Sequence, residues 1–452
     1  MEYNKVHFIG IGGIGVSALA QYYLSKGAEV SGSDLFSSEI TDFLKEKGAK
    51  LIIGRHKKQN LPSNIDLVVY SPAVKKDNPE LRELIKQGAK AQSYPEALGD
   101  LTKQYFAIAV SGTHGKSTTT AMIALVLIKA GLDPTVIIGT KIKEFGNTNF
   151  RAGKSKILVI EADEHFASFL NYRPKMIVLT NIEREHLDYY KNLKNILASY
   201  DKYIGHLPKD GCLVANKDDE NINKIFNLQF SIFNKFSIKQ FSIKQKEAGK
   251  LKKILKIPGE HNVYNALATL TTARFLAIPD KITFKALSEY RGAWRRFDIK
   301  QARGPKGYPD KKITIISDYG HHPTEILATL KAAREKYPKK KIWCVFQPHQ
   351  RQRTYYLFDD FVKVFRSVPI DNIIITDIYD VAGRETKKIN IKVSSKLLVE
   401  KISRKNIIYL PLCDIEKFIK GNIKAGEILI IMGAGDIYRL SDDLTTGKKR
   451  AT

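Results

Sequence analysis

The sequence predicts an α/β protein of three units, each built on a largely parallel sheet. Three observations predict it. Short apolar runs alternate with helical patterns, and strands that alternate with helices pair in parallel. That alternation restarts twice, near residue 101 and after Arg296. The length of 452 residues also corresponds to about two to four domains. The units are placed at 1–100, 101–296 and 297–452.

In the first unit, VHFIG (6–10), AEVSGSD (28–34), AKLIIG (49–54) and IDLVVYS (65–71) read as strands, and ITDFLKEKG (40–48) has helical spacing. In the second, YFAIAV opens at residue 105, and KILVIEADE (156–164) and KMIVLTNIE (175–183) are further buried strands. The third contributes KITIISDYG (312–320), KIWCVFQPH (341–349), NIIITDIYD (372–380), NIIYLP (406–411) and EILIIMGAGD (427–436). Residues 236–245 read FSIKQFSIKQ, a tandem copy of five residues, with Lys250, Lys252, Lys253 and Lys256 soon after. Lysine is common on solvated edges, which favours a loop or an edge hairpin over an amphipathic strand pair.

Composition narrows the class. The hydrophobic share of 43% and charged share of 27% are ordinary for a folded soluble chain. Lys and Arg exceed Asp and Glu by 74 − 47 = 27. So basic a balance suits nucleic acid, an anionic membrane or phosphorylated ligands, or is only a Lys-rich surface. No helix-turn-helix, zinc or aromatic RNA-binding signature accompanies it. Cys212, Cys344 and Cys413 lie far apart, which indicates neither a disulfide framework nor a zinc site. No secretory signal pattern opens the chain, and no apolar stretch approaches ~18 residues, so a soluble intracellular protein is expected.

Two glycine loops carry the chemistry. Gly10-Ile11-Gly12-Gly13-Ile14-Gly15 follows a strand and opens a helix. Glycines there let backbone approach a diphosphate, and the helix N-terminus favours its charge. Asp34, about 20 residues on, could bind ribose hydroxyls. Alone this loop suggests a nicotinamide or flavin enzyme. Gly112-Thr113-His114-Gly115-Lys116-Ser117, then Thr118, lies between FAIAV and a second helix. It is a tight phosphate loop, with Lys116 for the outer phosphates and the Ser117 hydroxyl for Mg²⁺. One dinucleotide-type loop beside one nucleoside-triphosphate loop does not fit a dehydrogenase. A nucleotide-linked substrate plus ATP points to a ligase or kinase.

Acidic and histidine clusters follow other strands. Glu161, Asp163 and Glu164 end VIEADE, and Asn181, Glu183, Glu185, His186 and Asp188 lie in TNIEREHLD. Ser117, Glu161 and His186 could converge on one Mg²⁺, while Glu164 and Asp188 could equally cap helices. Asp318-Tyr319-Gly320-His321-His322 and Gln347-Pro348-His349, continuing to Arg353, fall on one sheet edge. Arg353 could grip a carboxylate, and the histidines could hold ligand, water or a proton.

The motifs HFIGIGGIGVSALA, SGTHGKSTTTAMIA, EADE, TNIEREHLDYY, GEHNVYNALA, RRF, DYGHHPTEI, FQPHQRQRT and GAGDI occur in this order over nearly the whole chain. In them the sequence resembles the Mur ligase family, the ATP-dependent amino-acid-adding enzymes of peptidoglycan synthesis. GIGGIG with GHHPTE and FQPH is similar to the alanine-adding branch and to the related tripeptide-recycling ligases. The resemblance implies a Rossmann-like N-terminal domain for the UDP-substrate, a central P-loop ATPase-like domain and a Rossmann-like C-terminal domain for the amino acid. It implies that ATP drives amide formation between L-alanine and UDP-N-acetylmuramate through an acyl phosphate, with Mg²⁺ or Mn²⁺.

Roles follow from the same resemblance. Gly10, Gly12, Gly13, Ile14, Gly15, Asp34 and Ser71 would line the UDP site. Gly112, Thr113, His114, Gly115, Lys116, Ser117 and Thr118 would hold ATP phosphates, with Lys116 on the γ-phosphate. Ser117, Glu161 and His186 would bind Mg²⁺. His261, Asn262 and Asn265 would approach ATP, and Arg296 and Asp318 would complete that site. Tyr319, His321, His349 and Arg353 would form the amino-acid site, with Arg353 on the carboxylate. Lys116, His321, His349 and Arg353 would carry the chemistry. A cytoplasmic monomer or homodimer is implied, without nucleic acid or membrane insertion. Three positions depart from the family pattern: Ser117 replaces threonine, Ser317-Asp318 leaves one carboxylate of a pair, and His165-Phe166 replaces Ser-Asp after EADE.

Overall fold

The computed structural model describes residues 3–228, 236–302, 313–380 and 392–446. It carries three sheets, in keeping with the α/β reading. The first contains β1 (Lys5–Ile9), β2 (Glu29–Asp34), β3 (Lys50–Ile53), β4 (Leu67–Tyr70) and β5 (Ala91–Ser93). Its order is β3-β2-β1-β4-β5, all parallel.

The second contains β6 (Phe106–Ser111), β7 (Thr135–Ile142), β8 (Thr148–Arg151), β9 (Ile157–Glu161), β10 (Met176–Leu179), β11 (Cys212–Asn216) and β12 (Ser237–Phe241). Its order is β12-β11-β10-β6-β9-β7-β8, and only β8 runs antiparallel to its neighbour. The third contains β13 (Asp298–Ala302), β14 (Ile313–Asp318), β15 (Ile342–Phe346), β16 (Asn372–Ile375), β17 (Ile407–Tyr409) and β18 (Ile428–Met432). Its order is β13-β14-β18-β15-β16-β17, with β13 antiparallel.

The apolar runs became central strands because parallel strands are buried on both faces. Ala107, Ile108, Ala109 and Val110 of β6 are fully buried, and so are Leu429 to Met432 of β18. Each buried Val, Leu, Ile or Met side chain among them contributes roughly 1.5–3 kcal/mol. Strands β5, β7, β8, β11 and β13 were not anticipated. Of these β5, β8 and β13 are short or at sheet edges, where burial does not impose an apolar run, whereas β7 and β11 are interior and largely buried and were missed although their runs are apolar. The first FSIKQ copy forms edge strand β12, parallel to β11, rather than a hairpin. The second copy turns instead, because Asp218 accepts bonds from Ser242 Oγ and Ile243 N, both at 2.8 Å.

Topology locates the ligand-facing edges. In an open α/β sheet a crevice forms at the carboxyl ends where strand order reverses. The first glycine loop follows β1, at such a reversal, and the second follows β6. In the third sheet the loops after β14 and β15 flank central β18.

By internal contacts the chain forms two compact units. The first takes Met1–Glu183, Lys194–Ile254 and Tyr264–Tyr290 and carries the first two sheets. The helix Ile14–Ser25 joins those sheets. Asn149 of β8 donates to Ile14 O and to Ser17 Oγ (3.1 Å), and Gln21 donates to Asn149 Oδ1 at 2.8 Å. The second unit takes Arg184–Leu193, Leu255–Val263 and Arg291–Thr452, with the third sheet. Among the described residues, no helix is long and apolar enough to cross a membrane.

Candidate active site

The first loop is built by backbone. Gly10 N and Ile11 N donate to Ser33 O at 2.8 and 3.2 Å. Gly10 has φ +76, and a Cβ there would lie 3.0 Å from Ser71 Cβ. Gly12 N donates to Asp34 Oδ2 at 2.8 Å. Asp34, expected at a ribose, therefore also orients the loop. A Cβ on Gly15 would come within 2.8 Å of the Tyr94 ring. Gly13 differs from these: it precedes the helix at φ −64, and a Cβ would meet nothing closer than 3.5 Å. Beneath the loop, Ser33 Oγ donates to fully buried Glu80, which also accepts from Asn60 and pairs with His56 at 3.2 Å.

The second loop is under tighter constraint. Gly112 has φ +130, and a Cβ would sit 2.1 Å from Thr180 Oγ1. Gly115 has φ +84, and a Cβ would sit 2.3 Å from Asn265 Oδ1. Thr113 N and His114 N are held by Asn181, through its carbonyl at 2.9 Å and its side chain at 2.8 Å. The helix Lys116–Lys129 starts directly from the loop with no side-chain cap, which leaves its positive end to an anion. Thr118 is buried in its first turn.

Lys116 Nζ donates to Gly112 O (2.7 Å), Thr113 O (3.2 Å) and Glu164 Oε2 (2.8 Å). Burial opposes its charge, but Glu164, Asp163 and Glu161 more than offset this and hold its pKa above the ordinary value. Burial pushes the Glu164 carboxyl up to about 7, against the pull of Lys116. Glu164 thus pairs with the loop lysine instead of capping a helix. Ser117 Oγ donates to Glu161 at 2.9 Å, and Glu161 Oε2 also accepts from Gly139 N. A hydroxyl and a carboxylate are the hard oxygen donors that Mg²⁺ takes, so this pair fits that ion. Asn265 meets the loop in this unit, where Thr119 donates to its Oδ1 at 3.1 Å.

The second unit gathers the histidine clusters. Asp318 is buried and accepts from Phe297 N (2.7 Å), Gly320 N (2.8 Å) and Thr329 Oγ1 (3.3 Å). Burial raises its pKa. The carboxylate expected at a nucleotide therefore also orders the chain around β14. Arg296 pairs with Glu325 at 3.4 Å, its guanidinium 5.0 Å from the Tyr319 ring. His321 Nδ1 lies 3.0 Å from Tyr319 O. Burial and the Arg353 charge lower its pKa to about 3.

His349 stacks on Tyr379 with centroids 5.5 Å apart, and its ring lies 6.0 Å from that of His321. Arg353 Nη1 donates to His349 Nδ1 at 3.1 Å, and Nε donates to Glu185 Oε1 at 2.9 Å. Although burial works the other way, Arg353 keeps the Glu185 pKa well below the usual carboxylate range. Arg184, Glu185, His186, Gln350, Arg353 and Tyr356 line a shallow cleft. His261 and Asn262 touch each other at 3.1 Å, and Asn262 also donates to Pro258 O at 2.6 Å. His186 belongs to this unit, Ser117 and Glu161 to the other.

Sequence reasoning had no reading for Tyr94, Glu80 or Arg295. Arg295, at φ +57, donates to Gly433 O and Gly435 O, and its guanidinium lies 4.7 and 4.4 Å from Tyr319 and Tyr438. Its place in RRF beside Arg296 was the available signal.

Three largely parallel sheets with two phosphate-type glycine loops define a multidomain nucleotide-using α/β protein. Three family profiles match in register: "Mur ligase family, catalytic domain" over 5–106, "Mur ligase middle domain" over 110–273 and "Mur ligase, glutamate ligase domain" over 295–435. The chain is 41% identical to the UDP-N-acetylmuramate--L-alanine ligase of Clostridium tetani, with 97% of each chain covered. It is 40% identical to that of Acetivibrio thermocellus, covering 98% of this chain and 95% of the relative. The structure of the UDP-N-acetylmuramate-alanine ligase of Thermotoga maritima matches with TM-score 0.78 and 28% identity, covering 97% and 98%. A murein peptide ligase of Psychrobacter arcticus shares the fold at TM-score 0.72 and 22% identity, covering 99% and 100%. The chain belongs to the Mur ligase family.

Proposed function

We propose that the chain joins L-alanine to the carboxylate of UDP-N-acetylmuramate at the expense of ATP, in peptidoglycan precursor synthesis. The observation that carries this reading is the Lys116–Ser117–Glu161 arrangement on the second loop, in a chain about 40% identical over nearly its full length to ligases of that name.

A free carboxylate is a poor electrophile, so it is first phosphorylated. The muramate carboxylate attacks the γ-phosphate, ADP leaves, and an acyl phosphate forms. The alanine amine then attacks the carbonyl and expels phosphate. Lys116 exchanges its loop carbonyls for the γ-phosphate, where its charge offsets that of the transferring group. Ser117 and Glu161, with His186, would hold Mg²⁺, which neutralises phosphate charge when bound. The first loop, with Asp34 and Ser71, takes the UDP group. His261, Asn262, Asn265, Arg296 and Asp318 serve the ATP side.

In the amino-acid site the two imidazoles play opposite parts. A carbonyl only accepts, so His321 Nδ1 carries the proton and Nε2 offers a lone pair to the amine. A guanidinium only donates, so His349 Nδ1 accepts and Nε2 carries the proton toward the carboxylate. Arg353 adds its charge on that side.

The domain boundaries at 1–100, 101–296 and 297–452, a cytoplasmic location and a monomeric or homodimeric state belong to the same reading. Purified protein should release phosphate from ATP only when UDP-N-acetylmuramate and L-alanine are both present. Turnover with a muramyl tripeptide but not with alanine would sink the reading in favour of a recycling ligase. Binding of NAD(H) but not of a UDP-sugar would favour an oxidoreductase.

A further inference from the structure

Tyr94 opens the helix Tyr94–Gln104, directly after edge strand β5. Its ring lies against Gly15, whose added Cβ would meet Tyr94 Cζ at 2.8 Å and Oη at 2.9 Å. The phenol therefore stands over the first turn of the helix Ile14–Ser25, at the end that favours an anion. The far part of the helix Tyr94–Gln104 is pressed onto the segment His165–Asn171, where a Cβ on Gly99 would meet Asn171 O at 2.5 Å. That segment continues the chain from Asp163 and Glu164 beside the phosphate loop. Tyr94, the leading residue of this short helix, thus lies against the first glycine loop and within the electrostatic reach of Glu161 and Asp163 at the end of β9. Burial, with the charges of Glu161 and Asp163, raises the Tyr94 pKa, so the phenol stays a neutral donor. Among the described residues its hydroxyl makes no hydrogen bond.

We propose that Tyr94 is a positioning residue that donates its hydroxyl proton to an anionic oxygen of the sugar-nucleotide substrate as that substrate passes from the first loop toward the second. This rests on the function proposed above. A substrate bound by diphosphate at one loop and phosphorylated at the other must cross this ground, and a neutral phenol can hold an anion there without competing with Lys116 for charge. The anionic oxygen belongs either to the diphosphate or to the muramate carboxylate, which share the same hydrogen-bonding chemistry.

The test is calorimetric binding of UDP and of UDP-N-acetylmuramate to the full-length protein and to Tyr94→Phe, together with steady-state kinetics. Phenylalanine keeps the packing on Gly15 and removes only the hydroxyl. A roughly 10- to 100-fold weaker Kd is expected, the scale of one hydrogen bond to a charged group. KM for ATP and L-alanine should stay within about two-fold, because this hydroxyl touches neither. Weakening of both ligands places the contact on the diphosphate. Weakening of UDP-N-acetylmuramate alone places it on the carboxylate. Unchanged binding of both, in a variant with the wild-type Tm, overturns the proposal. Wild-type protein that releases no phosphate with both substrates present would instead overturn the functional reading itself.

Discussion

Lys116 Nζ lies 2.8 Å from Glu164 Oε2, and both side chains are withdrawn from solvent. The lysine that serves the γ-phosphate is thus held against its own loop by a carboxylate from the end of β9. Removing either partner should have unequal effects. Glu164→Ala strands a buried ammonium against two carbonyls, at about 3–5 kcal/mol. Lys116→Met leaves a carboxyl already pushed up to about 7, which takes a proton below that pH and becomes neutral. At pH 6, urea denaturation should show Glu164→Ala the less stable of the two. Lys116→Met should lower phosphate release at least about 10²-fold. Equal stability losses would argue against the pairing.

Gly112 of the second loop and Gly13 of the first should respond very differently to alanine. Gly112 combines φ +130 with a prospective 2.1 Å clash against Thr180 Oγ1. Gly112→Ala should cost more than about 2 kcal/mol and abolish ATP turnover. Gly13, at φ −64 with only ordinary contacts, should tolerate alanine within about 0.5 kcal/mol. Thermal melts of both variants, with ATP titration, check this.

Arg353 holds Glu185 and His349 through two different nitrogens of one planar fork. Lysine keeps the charge but cannot reach both in that geometry. Arg353→Lys should raise KM for L-alanine at least about ten-fold and leave KM for ATP nearly unchanged. Parallel rises in both constants would remove Arg353 from the amino-acid site.

His7 of β1 is almost fully buried, with Nδ1 2.9 Å from Ser31 Oγ. Burial, aided by His56 and opposed by Glu80, lowers its pKa from 6.5 to about 4. The unfolded chain therefore binds a proton between pH 6.5 and 4 that the folded chain refuses. Stability contributed by neutral His7 is complete above pH 6.5 and falls by about 3 kcal/mol toward pH 4. His7→Asn, which cannot titrate, should lose less stability over that window. Urea denaturation at pH 7, 5.5 and 4.5 gives the comparison, and parallel pH profiles would refute it.

The sequence by itself determined the α/β class, most of the central strands and both glycine loops. The reason is local. A strand buried on both faces must be apolar throughout, and a loop that wraps phosphate must place glycine and lysine at short fixed spacing. The basic excess of 27 charges was legible too, but it named no partner, because two phosphate loops require only a handful of cations. Only tertiary structure decided which polar groups meet. Asp34 turns to Gly12, Asp318 to the backbone around β14, Glu164 to Lys116, and Arg353 to Glu185 across 168 residues of sequence. Tyr94 was invisible for the same reason, since a tyrosine at a helix start acquires meaning only when Gly15 lies beneath its ring. Hydrogen bonds and desolvation act through space, and a linear pattern records only the contacts that close within a turn or a strand.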